Sequence, residues 1–181
     1  MTRNYPDEPA GEFETPPTTF TDAEGRDVTV RAADADDVAA LVEMYEAFDP
    51  ADRAQGIPPV GTEAISEWLD GLIGRGSVDV VAEHDGSVVG HATLVPDHDD
   101  GYELAIFVLA DYQGAGIGTR LLECLLGHGR ERGVEKVWLT VERWNGAAVS
   151  LYRSLGFETT GAESFELEMA LRLGDAPDGA D

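Results

Sequence analysis

The chain has 181 residues, which is enough for one domain with a buried core. It carries 36 acidic and 12 basic side chains, and the resulting net charge of −24 excludes nucleic acid and anionic membranes as binding partners. No apolar run approaches the roughly 20 residues of a membrane span, and the N-terminus lacks the apolar core of a signal peptide, so we expect a cytoplasmic protein.

The charge is unusual in kind as well as in size, because 11 of the 12 bases are arginine and Lys136 is the one lysine. Acidic residues spread along a whole chain with almost no lysine indicate adaptation to molar salt, where charge repulsion is screened within about 3 Å. The sequence therefore predicts a halophilic source. Residues 113–155 are an exception, with six cations and four acids, which favours an anionic ligand there.

The two ends of the chain differ from its middle in composition. Residues 1–17 are rich in proline, acids and threonine and predict a disordered acidic arm, and residues 174–181 predict an acidic tail. Between them we expect a single domain at 18–173 without internal repeats. The one cysteine, Cys124, falls in an apolar helical pattern and predicts a buried thiol without a chemical role.

Hydrophobic periodicity and turn residues predict a mixed α/β domain. The expected strands lie at 18–22, 27–31, 78–83, 88–95, 103–109, 136–141, 157–160 and 164–172. The expected helices begin after Asp34 or Asp36, near Thr62, near Gly116 and at Asn145. This order gives a sheet of about seven mostly antiparallel strands with one central parallel βαβ crossover and helices on both faces. The crossover helix presents its N-terminus at the carboxyl edge of the sheet, where open α/β sheets bind ligands.

A glycine-rich turn, Gln-Gly-Ala-Gly-Ile-Gly at 113–118, joins the buried central strand to that helix. The first backbone N–H groups of a helix lack partners and lie at the positive end of its dipole, so the turn favours a phosphate or pyrophosphate. A Walker loop is excluded because no lysine lies nearby, and a dinucleotide fingerprint would need glycine at Thr119 or Leu121. The alternative is a turn that only lets strand and helix pack closely.

The pattern Q-x-x-G-x-G after a buried strand resembles the acetyl-CoA pyrophosphate motif of the GNAT superfamily of N-acyltransferases. A second segment, 141–157, is similar to the closing part of that family. In it, Asn145 follows a strand, Tyr152 lies on the next helix, and Gly156-Phe157 begins the following strand. With the order of elements, the resemblance covers roughly 28–172.

The resemblance implies transfer of an acetyl group from acetyl-CoA to an amine by direct attack in a ternary complex, without a covalent enzyme intermediate. It implies that the pyrophosphate is held by Gln113, Gly114, Ala115, Gly116, Ile117, Gly118 and Thr119. It also implies that backbone groups near Phe107 and Val108 pair with the pantetheine arm, that Asn145 contacts that arm, and that Tyr152 donates a proton to the leaving thiolate. Each residue also has an ordinary structural interpretation, such as a helix cap for Asn145 and a core aromatic ring for Tyr152.

Glu103, at the start of the central strand, is the candidate general base, although a glutamate at a strand end is more often a solvated surface group. No metal is expected, because the four histidines show no paired ligand spacing. The acceptor is expected to be a small-molecule or peptide amine, contacted by residues 45–61, 97–101 and 161–164. The sequence leaves a homodimer open.

Two other functions stay open at this point. One is a catalytically inactive module of the same fold that binds acyl-CoA as a sensor or pairs with a partner protein. The other keeps the enzyme class but uses a longer acyl-CoA or a hydroxyl acceptor. Retention of Gln113, the two motif glycines Gly116 and Gly118, and Tyr152 favours an active enzyme over the inactive module.

Overall fold

The computed structural model describes residues 3–48, 58–163 and 165–174. The strands are β1 Thr18–Thr21, β2 Asp27–Ala32, β3 Val78–His84, β4 Ser87–Pro96, β5 Tyr102–Val108, β6 Lys136–Glu142, β7 Glu158–Ala162 and β8 Glu166–Arg172. They form one sheet in the order β1-β2-β3-β4-β5-β6-β8-β7, in which only β5 and β6 are parallel neighbours among the described strands. The mixed sheet with one parallel crossover is confirmed. Its eighth strand is β1, the outer arm of the expected first hairpin.

Four α-helices connect the strands of the described chain. They are α1 Val38–Glu46, α2 Thr62–Asp70, α3 Ile117–Glu131 and α4 Gly146–Leu155. The predicted cap before α1 is present, because the Asp34 carboxylate accepts a hydrogen bond from the Asp36 backbone N–H and the Asp37 carboxylate accepts one from the Asp34 backbone N–H. This capping box begins a short 3-10 turn that leads directly into α1.

The sheet has a hydrophobic core on each face, because neighbouring residues of a strand point to opposite sides. On β3, Val80 and Ala82 belong to the larger core, which includes the buried sides of α3 and α4. Val81 lies between them and belongs to the smaller core, with Leu41 of α1 and Leu69 of α2. Helices therefore cover both faces, as the sequence predicts.

The parallel strands β5 and β6 pair over only a short length. Their register contains two pairs, Tyr102 with Val137 and Glu103 with Trp138. From Leu104 onward β5 stays paired with β4 as far as Val108, while its other edge has no register partner on β6. The sheet therefore opens between β5 and β6 toward their carboxyl ends, which is where α3 begins.

Within residues 1–17, whose composition predicts disorder, the structure describes contacts between the arm and the domain. The Ala10 backbone N–H donates to the Arg172 carbonyl at 2.7 Å. The Arg130 guanidinium donates to the carbonyls of Ala10 and Gly11 at 3.1 and 2.8 Å. These partners lie about 120 positions away in the sequence, so the composition of the arm gives no sign of them.

Several sequence predictions fall outside the described residues, including most of the acidic tail and much of the segment between α1 and α2. Within the described part of the chain, no helix is both long enough and apolar enough to cross a membrane.

Candidate functional site

The glycine-rich turn forms an open cradle at the start of α3. Gly114 and Gly116 have φ angles of +72° and +92°, a backbone conformation that glycine adopts at low cost. A Cβ atom added at either position would meet nothing within 4 Å, so the space above the turn is free. Gly116 is the N-cap of α3, and no side chain caps the helix there. The first N–H groups of α3 are thus available to an anionic ligand.

Gln113 fixes the turn to the end of the central strand. Its side-chain amide donates to the Val108 carbonyl at 2.9 Å, so the amide braces the loop. Ala115 is buried, and its carbonyl accepts a hydrogen bond from the Ala23 backbone N–H at 3.0 Å. Both contacts hold the turn in shape before a ligand arrives.

Arg26, which the sequence analysis did not single out, supports the same loop from the hairpin β1–β2. Its guanidinium donates to the Asp111 carbonyl at 3.1 Å and lies 4.1 Å from the centre of the Tyr112 ring. Asp22 accepts from the Arg26 Nε atom at 2.7 Å and holds the guanidinium in place. Arg26 and Asp111 are 85 positions apart, so no local pattern could have indicated their contact.

Phe107 and Val108 lie on the part of β5 that has separated from β6. Both residues are partly buried, and their strand edge toward β6 has no register partner. An extended chain placed in this opening could therefore pair with the backbone of β5, as a neighbouring strand would. The opening leads from the turn at the start of α3 toward Glu103.

Tyr152 lies on α4, and its side chain belongs to the larger core. It is 9% exposed, and its ring packs against Phe157 with centroids 5.8 Å apart. Its hydroxyl has no hydrogen-bond partner among the described residues, and it is not one of the fully buried polar atoms that lack a partner. Burial raises the pKa of Tyr152 to about 12. The side chain is therefore an O–H donor that stays protonated at neutral pH.

Asn145 caps α4 in the way that the ordinary structural interpretation expects. Its side-chain oxygen accepts from the Ala148 backbone N–H at 3.3 Å. The cap places the start of α4 directly after β6, beside the opening between the parallel strands.

Glu103 lies at the closed end of the opening, in the last pair that β5 makes with β6. Its side chain is exposed and points to the face of the sheet that carries α1 and α2, opposite to Leu104 in the larger core. Partial loss of hydration raises the pKa of Glu103; Arg3 opposes this rise, and the charge of Asp97 adds to it. Tyr152 belongs to the larger core, on the other face of the sheet.

An aromatic cluster lies on the same face of the sheet as Glu103, further along β5. Phe107 packs edge to face against Tyr45, Phe48 and Trp68, with ring centroids 5.4 to 6.1 Å apart. Tyr45 is buried, and the other three rings are partly buried. The acceptor is predicted near Tyr45 from the sequence, but the cluster is not, because α1, α2 and β5 meet only in the fold.

A buried polar chain lies beneath the aromatic cluster. The Tyr45 hydroxyl lies 2.6 Å from His91 Nδ1, and His91 Nε2 lies 2.8 Å from Asp79 Oδ1. Ser77 donates its hydroxyl to the other Asp79 oxygen. Burial, with a contribution from the Asp79 charge, raises the pKa of Tyr45 well above its usual value. These contacts join α1 to β3 and β4.

We expect Asp79→Ala to lower the free energy of unfolding by about 3 kcal/mol, because it leaves His91 buried without its partner. Urea unfolding in molar KCl, followed by tryptophan fluorescence, measures the change. Asp70→Ala removes the same side chain from an exposed position at the end of α2 and serves as the control. Equal stability losses in the two variants would contradict a structural role for the buried chain.

Histidines of the described chain pair with single carboxylates, as His91 does with Asp79. Within the described ranges, no cluster of three or more His, Cys, Asp or Glu side chains could hold a metal ion.

Comparison with known proteins gives a consistent result. The sequence profile of the acetyltransferase (GNAT) family matches residues 30–157. The chain is 30% identical over 139 residues to the L-methionine sulfoximine/L-methionine sulfone acetyltransferase of Salmonella typhimurium, covering 74% of this chain and 81% of that relative. It is 34% identical over 89 residues to an uncharacterized N-acetyltransferase of Mycobacterium tuberculosis, covering 49% of this chain and 57% of the relative. The chain thus spans just over half the length of the mycobacterial protein.

Among solved structures, a similar one is a putative acetyltransferase from Salmonella typhimurium with its cofactor acetyl-CoA. It is 29% identical in sequence and superposes with a TM-score of 0.66, covering 83% of this chain and 98% of that one.

Proposed function

Since the chain belongs to the acetyltransferase (GNAT) family, we propose that it transfers an acetyl group from acetyl-CoA to an amine acceptor by direct attack in a ternary complex. The observation that carries this proposal is the uncapped start of α3 behind Gly114 and Gly116, at the mouth of the opening between β5 and β6. The similar Salmonella structure, which holds acetyl-CoA, supports the choice of donor.

The residues around the opening fit the chemical parts of acetyl-CoA. The N–H groups at the start of α3 would hold the pyrophosphate, within a segment that keeps more cations than acids. The edge of β5 near Phe107 and Val108 has no partner strand and would pair with the amides of the pantetheine arm, while the Val108 carbonyl also accepts from the Gln113 amide. The thioester would then lie deep in the opening, between the Tyr152 and Glu103 sides.

The acceptor must lose a proton before or during attack. An alkyl amine with a pKa near 10.4 is neutral in only about one molecule in 10³ at pH 7. Glu103 would accept this proton directly or through a water molecule, and its raised pKa makes it a better base than an ordinary carboxylate. The nitrogen then forms its bond to the acetyl carbon while the bond from that carbon to sulfur breaks.

Tyr152 would supply the proton that the departing CoA thiolate takes up. A thiol with a pKa near 8.5 leaves as a weak base, and a positioned O–H donor stabilises the charge that develops on sulfur. The hydroxyl of Tyr152 is uncommitted to other described residues, which suits this role. The same feature supports an active enzyme over a binding module, because a module has no need of a free phenol at this place.

The proposal includes the salt concentration and the compartment in which the protein works. The excess of acids and the near absence of lysine support work in the cytoplasm of an organism that accumulates molar salt. We therefore specify molar KCl for each assay.

Glu103→Gln is expected to lower kcat/KM for the amine about 10-fold at pH 7, because the amine loses its proton acceptor. The deficit is expected to shrink as the pH approaches 10, where the amine is largely neutral without help. In the wild type, kcat/KM falls further as acid protonates Glu103 below its raised pKa, and the variant lacks this step. Initial rates between pH 5 and 10 measure the difference.

Glu131→Gln removes a carboxylate at the far end of α3 and controls for the loss of one charge. A Glu103→Gln profile that runs parallel to the wild-type profile at every pH would remove Glu103 from the mechanism.

A further inference from the structure

The N-terminal arm places the Arg3 guanidinium on the face of the sheet that carries α1 and α2. The Arg3 Cζ atom lies 3.3 Å from the centre of the Trp138 ring, so the guanidinium rests on the indole. Its Nε atom donates to Glu168 Oε1 at 2.9 Å, and its Nη1 atom lies 3.9 Å from Asp97 Oδ2. Arg3 thus occupies a site, called the seat below, that is formed by the Trp138 ring and the carboxylates of Asp97 and Glu168.

The seat is built from the domain and not from the arm. The Trp138 indole N–H donates to Asp97 at 2.8 Å, which fixes the ring and one carboxylate relative to each other. The other carboxylate, on Glu168, accepts from the Thr160 hydroxyl at 3.2 Å. Although burial opposes it, hydrogen bonds from the Asp99 backbone and from Trp138 lower the pKa of Asp97, which keeps this side of the seat negative.

The position of the seat relates it to the proposed reaction. Trp138 is the strand neighbour of Glu103, and both side chains point to the face that carries α1 and α2. Two positions further along β6, Thr140 points to the same face where the strands have separated, about 7 Å beyond Trp138. A cation on Trp138 therefore lies within the reach of a short alkyl chain from the opening.

The contact of Arg3 is of a kind that another cation can replace. The side chain is 28% exposed, and the backbone of the arm contacts the domain at the Pro6 carbonyl, which accepts from Arg172 at 2.7 Å, and again at Ala10. The ion pairs of Arg3 are partly buried and open to solvent on one side, and a guanidinium on a tryptophan adds a modest amount of stability. A ligand with its own cation could take this place without unfolding the domain.

We propose that Trp138, Asp97 and Glu168 form a cation subsite of the acceptor site, which Arg3 fills until an acceptor displaces it. The acceptor is then an amine that carries a second cationic group, a guanidinium or an ammonium, a few bonds from the reacting nitrogen. This inference rests on the proposed function, because it assigns the cation to the acceptor. Arg3 of the arm and the cation of the acceptor then compete for the same subsite.

The test is calorimetric titration with agmatine, which joins a primary amine to a guanidinium, in molar KCl. Arg3→Gln empties the seat and is expected to bind agmatine about fivefold to tenfold more tightly than the wild type. Lys136→Gln is the matched control, because Lys136 also contacts the arm, 5.5 Å from the Tyr5 ring, and its loss removes the same charge. Lys136→Gln is expected to leave agmatine binding within about twofold of the wild type.

A second substitution tests the seat itself. Adding Glu168→Gln to Arg3→Gln keeps the shape of the side chain and removes one carboxylate, so the gain in agmatine affinity is expected to disappear. Equal agmatine affinities in the wild type and in Arg3→Gln, or an equal gain in Lys136→Gln, would overturn the subsite. Acetyl-CoA titration of the same samples is independent of the seat, so normal acetyl-CoA binding with no agmatine effect leaves the proposed donor site standing.

Discussion

Gly116→Glu is expected to raise the Kd for acetyl-CoA about 100-fold or more, because charge-assisted hydrogen bonds at the start of α3 would be lost. The substitution puts a carboxylate where the first N–H groups of α3 are open to a ligand. The new side chain would repel the pyrophosphate and occupy the free space above the turn. Isothermal titration of acetyl-CoA into wild type and variant in molar KCl measures the difference.

The backbone strain of this substitution calls for a matched control. Gly116 has φ +92°, so a glutamate there is strained whatever it does to a ligand. Gly133 has φ +87° and also has nothing within 4 Å of an added Cβ, but it follows the opposite end of α3, about 22 Å away along the helix. Gly133→Glu is expected to bind acetyl-CoA as the wild type does. Wild-type affinity in folded Gly116→Glu, or an equal loss in both variants, would contradict a donor site at this turn.

Tyr152→Phe is expected to lower kcat about 100-fold, because the departing thiolate loses its proton donor. The Kd for acetyl-CoA is expected to stay within about twofold of the wild type, since the ring and its packing against Phe157 remain. The pKa near 12 also predicts that the wild-type donor stays protonated well above pH 9, so Tyr152 adds no alkaline limb to the profile below that pH. Single-turnover rates separate the chemical step from binding.

Tyr102→Phe provides the comparison for this change. Tyr102 is another partly buried tyrosine that packs on the larger core, at the start of β5 and away from the opening. We expect its rate to match the wild type. A wild-type kcat in Tyr152→Phe would contradict a role for Tyr152 as proton donor and leave it only a packing role in the core.

Local sequence patterns were sufficient for most of the fold. The turn at 113–118 predicted the start of α3 to within one residue, because glycines and the following apolar period are local signals. The hairpin at Asp85-Gly86 joins β3 and β4 as its turn residues predict, with Asp85 at φ +50° and Gly86 at φ +80°.

The contacts that the sequence did not predict join distant parts of the chain. The composition of residues 1–17 predicted disorder, yet the carbonyls of this arm bind Arg130. Arg26 braces the loop before α3, and Arg3 rests on Trp138, in each case across many intervening residues. Such contacts depend on the completed sheet, so composition and periodicity carry no information about them.

In the candidate site, too, a local motif could be predicted from the sequence, and a property that depends on distant contacts could not. Gln113 and the turn glycines lie in one local motif, and their placement at the mouth of the opening follows from the order of strand, turn and helix. The free hydroxyl of Tyr152 could not be read from the sequence, because a buried tyrosine usually has a partner that only the fold can reveal.

The central claim is that this chain moves an acetyl group to an amine, and the most direct measurement is amine-dependent release of free CoA thiol from acetyl-CoA. The assay uses wild-type protein in molar KCl with a panel of monoamines, diamines, agmatine and short peptides, and mass spectrometry identifies the product. We predict thiol release that requires an amine, with one acetyl group added to it. Tight acetyl-CoA binding without amine-dependent release from any acceptor in the panel would contradict the account and indicate an acyl-CoA sensor.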